Sequence, residues 1–312
     1  MEKTDVNGAA EFLKANDGYI LYSHFLPDGD TVGSATALVL ALRALGKRAY
    51  AYCSGEIPEK LNIIPHEGIY LKDEPEGLTP VSIDVASCKM LGNTKVAHFA
   101  LSVDHHAINY ISCDRLLIDD TKIATGEIVY SLIKALGVSI TKDIASSLYA
   151  AICSDSCCFK YEHTTAQTLK IAAELIEAGA DSVKISRELF DRKTKEQFAV
   201  ERYAYDNLEF LCGGRFAIVA IDVNDNALIG VKGSDFDSVN TIPISVKGVE
   251  ASAVLRENEG KIKITLRSAG VIDVAEIAKA NGGGGHKFAA GFTYSGSLFD
   301  AERKIKEIFS KL

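Results

Sequence analysis

The feature that most constrains the fold is an alternation of strand-like and helix-like stretches over residues 18–179. Short runs rich in aromatic and β-branched residues are separated by longer stretches with helical character. The strand-like runs are 18–24, 47–53, 80–86, 96–106 and 115–119, and the helix-like stretches are 31–46, 124–137, 142–155 and 164–179. Strands that alternate with helices pair side by side in parallel, because each helix carries the chain back across the sheet. The sequence therefore predicts an α/β fold with a doubly wound, mainly parallel sheet.

The pattern changes after Asp181. Residues 182–211 contain no glycine or proline and are polar, which predicts a continuous helix. Strand-like runs at 215–222, 244–258 and 261–269 follow, then a helix at 273–281 and a glycine-rich stretch. We therefore predict a catalytic domain over 1–188, a helical connector over 189–210 and a smaller α/β domain over 211–312.

Composition and charge limit the partners. The N-terminus is polar, and no apolar run is long enough to span a bilayer. We therefore expect a cytoplasmic protein that does not bind a membrane. In that compartment its seven cysteines would stay as thiols. The net charge is −8, and residues 241–312 carry +3, so the first 240 residues carry −11. An acidic chain gains little from the many phosphate contacts of a long duplex, which favours a small anionic ligand.

Aspartate and histidine side chains follow several of the predicted strands. His24, Asp28 and Asp30 come after the first strand, Asp84 ends another, and "DHH" (104–106) ends a third, while Asp155 ends a helix. In a doubly wound sheet, ligands bind beyond the carboxyl ends of the strands, so these groups are expected at one edge. A single aspartate at such a place is more often a helix cap, and a set of unrelated caps is the alternative interpretation.

Four carboxylates cannot occupy one cleft without positive charge, because like charges repel and raise one another's pKa. Two divalent cations would neutralise Asp28, Asp30, Asp84 and Asp155. Mixed aspartate and histidine ligands suit manganese, iron, cobalt or zinc, and a pair of such ions can activate water and hold a phosphoryl group. Because neighbouring side chains on an extended chain point to opposite sides, His106 is expected to face away from His105 and to contact substrate or protonate a leaving group. Asp104 would orient a ligand.

A second candidate site is the glycine run "NGGGGHKFAAGF" at 281–292. Glycine lets backbone amides approach an anion, and a histidine and a lysine follow at once, although such a run is commonly a flexible turn. Arg267 could bind a phosphate with both arms of its guanidinium group. The predicted substrate-binding residues are Arg267, Ser268, Gly283, Gly284, Gly285, His286 and Asn109.

These segments together resemble a known superfamily. "SHFLPDGDTVGS", "SIDVAS", "VDHHAIN" and "ICSDSCCFKY" are similar, in order, to the four metal-site motifs of the DHH phosphoesterases. "LRSAGVIDVAEIAKANGGGGHKFAAGF" resembles the signature of the DHH-associated C-terminal domain. The two-domain length resembles the nanoRNase/pAp phosphatase branch, which is RecJ-like in its core. One departure lies in the fourth motif, commonly Thr-Asp-Thr-Gly-x-Phe, where cysteine replaces glycine at position 157.

The resemblance implies two manganese ions and a role for each residue. One ion would take His24, Asp28, Asp84 and Asp155, and the other Asp30, Asp84, His105 and Asp155, so that Asp84 bridges. His106 would meet the scissile phosphate. Arg267, His286 and the glycine loop would hold the substrate.

We therefore expect a manganese-dependent phosphoesterase that hydrolyses short RNA oligonucleotides to mononucleotides and also removes the 3′-phosphate of 3′-phosphoadenosine 5′-phosphate. The resemblance also suggests a homodimer. Hydrolysis of cyclic di-adenylate or its linear dinucleotide pApA is the nearest alternative. A nucleotide sensor without turnover and an inorganic pyrophosphatase are the others.

Overall fold

Seven parallel strands form the sheet of the N-terminal unit in a computed structural model that describes residues 1–160, 163–258 and 260–312. The strand order is β1-β7-β6-β5-β2-β3-β4. The strands are β1 (Glu2–Lys3), β2 (Tyr19–Tyr22), β3 (Ala49–Tyr52), β4 (Tyr70–Leu71), β5 (Thr79–Ile83), β6 (Phe99–Asp104) and β7 (Cys113–Ile118). The predicted α/β class with a mainly parallel sheet is confirmed, and the structure adds the two-residue edge strands β1 and β4.

Helices cover this sheet. They are α1 (Val6–Ala15), α2 (Gly29–Ala44), α3 (Thr125–Leu136), α4 (Lys142–Asp155), α5 (Ala166–Glu177) and α6 (Ser182–Ser186), followed by a π-helical turn at Arg187–Asp191. The central strand β2 is buried on both sides because both sheet faces are covered there. In β2, Leu21 packs into the core under the helices, whereas Ile20 packs into a second apolar cluster.

Helices α2 and α4 lie unusually close together. A Cβ atom at Gly33 would come within 2.3 Å of the Ser147 carbonyl oxygen, and one at Gly29 would come within 2.6 Å of the Ser154 Cβ. Glycine is required at these two positions because any side chain would push the helices apart. The contact brings Asp30, on the first turn of α2, near Asp155 at the end of α4.

The C-terminal unit is built on a six-stranded mixed sheet of order β12-β13-β11-β10-β9-β8. Its strands are β8 (Glu209–Leu211), β9 (Phe216–Ile221), β10 (Ala251–Asn258), β11 (Lys261–Ser268), β12 (Gly284–His286) and β13 (Ala289–Tyr294). Its helices are α7 (Lys195–Asp206), α8 (Val274–Ala280) and α9 (Leu298–Phe309). Among the described strands of this sheet, β9 and β10 pair in parallel and the other pairs are antiparallel. Helices α8 and α9 cover one face, while α7 and the 3₁₀ segment Gly233–Thr241 pack on β9 and β10 of the other.

Chain packing divides the protein at Arg192, into Met1–Arg192 and Lys193–Leu312. The predicted continuous helix over 182–211 is wrong, because the helical structure stops at Asp191 and begins again at Lys195. Thr194 caps α7: its hydroxyl accepts from the Gln197 N–H, and the Gln197 side chain accepts from the Thr194 N–H. Such a capping box starts a new helix and is visible as T-x-x-Q in the sequence.

Two further expectations need correction in this unit. The strand predicted over 244–258 occupies only Ala251–Asn258, because a 3₁₀ turn at Pro243–Ser245 precedes it. The glycine run is not a free loop, because Gly284–His286 pairs with β13 as an edge strand. Among the described residues, no helix combines the length and apolar character needed to cross a membrane.

Candidate active site

The carboxyl ends of β2, β5 and β6 bring most of the predicted aspartates and histidines together. His24 follows β2, Asp84 follows β5, and Asp104 is the last residue of β6. Since these strands are parallel neighbours, their ends lie at one edge of the sheet. Helices α2 and α4 add Asp28, Asp30 and Asp155.

Asp84 lies at the centre of this cluster and is buried. Its Oδ2 accepts a hydrogen bond of 2.5 Å from the Thr31 hydroxyl, and its Oδ1 accepts one of 3.1 Å from the Thr125 hydroxyl. Three imidazoles surround it, each with a ring nitrogen 3.7 Å from a carboxylate oxygen: His24, His105 and His106. Its φ of 59° is rare for a residue with a side chain and costs about 1 kcal/mol or more, which the surrounding bonds must offset.

Asp30 is fully buried and caps a helix of another segment. Its Oδ2 accepts from the Thr125 N–H at 2.7 Å, and its Oδ1 accepts from the Gly126 N–H at 2.9 Å, at the start of α3. Asp30 is therefore a helix cap, as the alternative interpretation expects, but its carboxylate also makes other contacts. The Asp30 carboxylate also lies 4.0 Å from His105 Nε2, and the same nitrogen lies 3.4 Å from Asp155 Oδ2.

His24 and Asp28 form the outer part of the cluster. Asp28 is the N-cap of α2, where its Oδ1 accepts from the Thr31 N–H, and its Oδ2 lies 3.8 Å from His24 Nε2. Burial opposes ionisation of Asp28, but the His24 imidazole and Thr31 outweigh it and lower the pKa of that carboxyl. Asp28 is half-exposed, so it also offers an oxygen toward solvent.

His105 and His106 do not face opposite sides, which corrects the expectation drawn from strand alternation. Strand β6 ends at Asp104, so neither histidine is on extended sheet, and their ring centroids lie 4.8 Å apart. The two rings differ in their hydrogen bonds. His105 Nδ1 pairs with the Lys122 carbonyl at 3.2 Å, while His106 Nδ1 pairs with Asp104 Oδ1 at 2.7 Å.

Asp104 organises this loop from a fully buried position. Its Oδ1 also accepts from the His105 N–H, and its Oδ2 accepts from the Asn109 side-chain amide at 2.6 Å. The other end of Asn109 accepts from the Ile111 N–H. We predicted a nucleotide contact for Asn109, but the protein uses both ends of its amide, so we assign it to holding Asp104.

The electrostatics of the cluster favour the binding of a cation. Burial and the neighbouring carboxylates raise the pKa of Asp84, and raise those of Asp30 and Asp155 much further. Among the described residues of Met1–Arg192, no lysine or arginine is within ion-pair distance of these three carboxylates. Oxygen and imidazole nitrogen atoms converge instead in three sets that could each hold a metal ion. The sets are His24–Asp28–Asp84, Asp30–His105–Asp155 and Asp84–His105–His106. The donor atoms therefore fit divalent transition metals.

Two residues of this site, Thr31 and Thr125, were not predicted from the sequence. Thr31 and Thr125 are buried, and their hydroxyls hold the two oxygens of Asp84. Thr31 lies in the first turn of α2, and nothing in the sequence distinguishes it from an ordinary residue of a helical first turn. Thr125 begins α3 on a segment that carried none of the candidate acids or histidines, so only the fold reveals its role.

The predicted substrate-binding residues other than Asn109 lie in the C-terminal unit. Arg267 and His286 are on the same sheet face, since Arg267 pairs with Ala289 and His286 also pairs with Ala289. Ser268 has a different role, because its hydroxyl donates to the Ile272 carbonyl and accepts from the Gly270 N–H, which closes the turn after β11. We therefore reassign Ser268 from substrate contact to turn stabilisation.

The glycines of the run serve the packing of the hairpin. A Cβ at Gly283 would meet the Gly291 carbonyl oxygen at 2.1 Å, and one at Gly285 would lie 2.5 Å from the Ala290 Cα. Gly284 has open space beside it and is exposed. Steric contacts therefore explain why two of the three positions, Gly283 and Gly285, are glycine. A backbone contact with an anion stays a prediction for all three.

Comparison with known proteins is consistent along the whole chain. Residues 19–152 match the DHH family, N-terminal domain, and residues 213–312 match the DHHA1 domain. The bifunctional oligoribonuclease and PAP phosphatase NrnA of Thermus thermophilus is 34% identical over 312 aligned positions, which cover 97% of this chain and 93% of that protein. The chain belongs to the DHH phosphoesterase family.

Solved structures agree on the fold. An exopolyphosphatase-related protein from Bacteroides fragilis superposes with a TM-score of 0.89 at 23% identity, over 98% of this chain and 95% of that one. The exonuclease RecJ bound to manganese superposes with a TM-score of 0.55 at 15% identity, over 100% of this chain and 95% of that one. DHH phosphoesterases are metal-dependent hydrolases, and the acid–histidine cluster around Asp84 is the site where this chain can hold a divalent metal.

The departure from the DHH phosphoesterase motif, at Cys157, lies in a left-handed turn of the backbone. Cys157, Cys158 and Phe159 have φ values of 49°, 57° and 63°, a left-handed turn that directly follows Asp155 and Ser156. Glycine adopts such angles without a penalty, whereas each of these residues pays about 1–2 kcal/mol. The cysteine at position 157 therefore keeps the backbone path typical of glycine but adds a side chain beside a candidate ligand.

Proposed function

We propose that this chain hydrolyses short RNA oligonucleotides to mononucleotides and removes the 3′-phosphate of 3′-phosphoadenosine 5′-phosphate. The observation that carries the proposal is the convergence of aspartate and histidine side chains around Asp84, at the carboxyl edge of a parallel sheet. Relatives with high coverage, such as the one from Thermus thermophilus, are named for these two activities.

Two divalent ions, with manganese as the native metal, are part of the proposal. His24, Asp28, Asp84 and Asp155 would hold one ion, and Asp30, Asp84, His105 and Asp155 the other. The structure supports this division because His24–Asp28–Asp84 and Asp30–His105–Asp155 form separate sets, with Asp84 within reach of both histidines. When bound, the metal supplies a Lewis acid for the phosphoryl oxygens and lowers the pKa of water.

His106 handles a proton in this proposal. Its hydrogen bond to Asp104, with the neighbouring carboxylates, raises the pKa of the imidazole to about 8. The ring is therefore mostly protonated at neutral pH, with Nδ1–H donating to Asp104 and Nε2–H left for the substrate. His106 can donate that proton to the leaving oxygen. Asp104 fixes the ring orientation, and Asn109 fixes Asp104.

The C-terminal unit supplies substrate binding. The guanidinium group of Arg267 and the imidazole of His286 would bind a phosphate, together with the backbone of Gly283–Gly285. The homodimer, the cytoplasmic location and the exclusion of long duplexes stay predictions within this proposal.

Parallel assays with manganese test the substrate assignment. The substrates are 3′-phosphoadenosine 5′-phosphate, a five-residue RNA, pApA, cyclic di-adenylate and pyrophosphate, each followed by chromatography of the products. We expect the RNA and the 3′-phosphate to be hydrolysed with the highest kcat/KM. Much faster turnover of cyclic di-adenylate or pyrophosphate would replace the proposed substrates. Tight nucleotide binding with no hydrolysis would indicate a sensor.

A further inference from the structure

Three of the seven cysteines lie close together around the end of α4. Cys153 is in the last turn of that helix, and Cys157 and Cys158 are on the turn that follows Asp155. All three are free thiols in this structure. None of the three candidate metal sets includes them, so the function proposed above leaves their chemistry unassigned.

The backbone holds Cys153 and Cys158 at a distance that a disulfide can bridge. The Cys158 N–H donates to the Cys153 carbonyl at 2.8 Å, across the turn that contains Asp155. With standard bond lengths, this hydrogen bond keeps the two Cα atoms within about 6.7 Å of each other. Disulfides usually join Cα atoms that are about 4.4–6.8 Å apart. The two thiols can therefore be joined without unfolding the turn.

The side chains of the same two cysteines meet at one atom. Cys153 Sγ lies 3.6 Å from the hydroxyl oxygen of Ser186, at the end of α6, and Cys158 Sγ lies 3.7 Å from that oxygen. Cys157 is a less suitable partner for Cys158, because the Cα atoms of adjacent residues are about 3.8 Å apart, below the usual range for a disulfide. The geometry therefore favours the pair Cys153 and Cys158.

The two thiols differ in exposure, which gives each a separate role in an oxidation. Cys158 is partly exposed, so a small oxidant such as hydrogen peroxide can reach its sulfur, whereas Cys153 is fully buried. The Cys158 sulfur attacks one oxygen of the peroxide and the O–O bond breaks. Cys158 becomes a sulfenic acid, and its thiol proton leaves with the other oxygen as water.

Cys153 completes the reaction. Its sulfur attacks the sulfur of the Cys158 sulfenic acid, the S–O bond breaks, and the hydroxyl leaves with the Cys153 thiol proton as a second water. The two sulfurs together lose two electrons, and these reduce the peroxide to water. The product is a disulfide that closes a ring around Asp155.

We propose that Cys153 and Cys158 form a modification site at which a peroxide produces a disulfide that lowers the activity of this chain. Asp155 lies inside the ring, and its Oδ2 is 3.4 Å from His105 Nε2 in a candidate metal set. Displacement of a reacting group by about 1 Å can lower a rate by roughly 100-fold, so a covalent constraint on this turn affects the metal site. The effect on activity rests on the proposed function, whereas the formation of the disulfide does not.

Peptide mapping of the full-length protein tests the disulfide. Reduced protein is treated with hydrogen peroxide in a chelator, alkylated, and cleaved on the N-terminal side of aspartate. Cleavage before Asp155 separates Cys153 from Cys157 and Cys158, so the two peptides stay joined only through a disulfide. We expect joined peptides, lighter by two hydrogen atoms, in wild type and in Cys157→Ser. Cys158→Ser and Cys153→Ser should give separate peptides.

Cys157→Ser is the matched control, because it changes a partly exposed thiol on the same turn. Loss of the joined peptides in Cys157→Ser, or their persistence in Cys158→Ser, would assign the bond to Cys157 and overturn the inference. Separate peptides in oxidised wild type would also overturn it.

Rate measurements test the effect on activity. With a five-residue RNA at a fixed manganese concentration, we expect kcat/KM of the oxidised wild type to be about fivefold or more below that of the reduced protein. A dithiol reductant should restore it, since partly exposed disulfides are readily reduced. Cys158→Ser should lose this sensitivity to peroxide and Cys157→Ser should keep it. Equal activity of wild type with and without the disulfide contradicts the inference.

Manganese binding separates this inference from the proposed function. If neither redox form hydrolyses any substrate, the proposed function fails, but titration calorimetry with manganese still compares the two forms. We expect the oxidised wild type to bind manganese about fivefold or more weakly, because Asp155 is a ligand in the proposed site. Equal affinity of the two forms in that case overturns the inference as well.

Discussion

The two candidate sites of this protein are built in opposite ways. The cluster around Asp84 draws its groups from segments between residues 24 and 155, and buries Asp30, Asp84 and Asp104 under hydrogen bonds from the protein itself. The face around Arg267 and His286 uses residues of adjacent strands and leaves His286 itself exposed. The first arrangement holds its groups in fixed positions inside the protein, whereas the second leaves polar groups exposed on a sheet face.

The largest expected effect is the loss of the shared ligand in the buried cluster. Asp84→Ala removes a carboxylate that borders all three histidines, so the remaining ligands cannot hold two ions. Loss of a residue that only orients a metal ligand lowers activity roughly 10–100-fold. We expect kcat of Asp84→Ala to fall by more than that. Steady-state assays with saturating manganese measure it. Activity close to wild type would mean that Asp84 does not bridge.

Asp104→Asn should produce a smaller loss. Asp104 orients His106 and receives three protein hydrogen bonds besides the one from that ring, but it belongs to none of the three candidate metal sets. We expect kcat to fall about 10–100-fold with metal stoichiometry unchanged. Because the raised pKa of His106 depends first on its hydrogen bond to Asp104, the variant should also shift the alkaline limb of the pH profile to lower pH. A pH profile that does not move would remove His106 from the proton-transfer step.

His286→Ala tests the exposed face and should affect binding more than chemistry. Loss of one hydrogen bond to a charged phosphate costs about 1.5–3 kcal/mol, so KM should rise by roughly tenfold or more while kcat changes little. Initial-rate measurements over a range of substrate concentrations separate the two parameters. An unchanged KM would show that the face around His286 does not hold the substrate.

The smallest effect is on stability. Burial and the nearby Asp28 and Asp84 hold the pKa of Asp155 far above its usual range, so the folded metal-free protein binds more protons than the unfolded chain above about pH 4. Its stability should therefore fall as the pH rises from about 4 toward 7. Asp155→Asn removes one of the repelling charges, and each kcal/mol gained at neutral pH raises the Tm by about 2–4 °C.

Thermal unfolding in a chelator, and again with added manganese, checks this sign. Wild type should gain stability from the metal, whereas Asp155→Asn should gain less. A variant that is less stable than wild type in the chelator at neutral pH would contradict the electrostatic account of the cluster.

Much of the fold could be predicted because its signals are local. The strands β2, β3, β5, β6 and β7 and the helices α2 to α5 follow runs whose apolar content and end residues are visible along the chain. The errors occurred where a local signal was overlooked or ambiguous. The break before Lys195 needed the capping box to be noticed, and the glycine run paired as an edge strand although glycine is a poor strand former.

The sequence alone predicted the identities of the acids and histidines and the parallel pairing of the strands that carry them. Residue type and strand position are encoded locally, and parallel neighbours necessarily end at one edge. Only the tertiary structure decided how those groups are used. It directed both histidines of the DHH segment toward Asp84, assigned Asn109 to Asp104 and recruited Thr31 and Thr125. The contacts of Thr31 and Thr125 with Asp84 join residues 53 and 41 positions apart in the chain, and hydrogen bonds over such separations leave no periodic trace in the sequence.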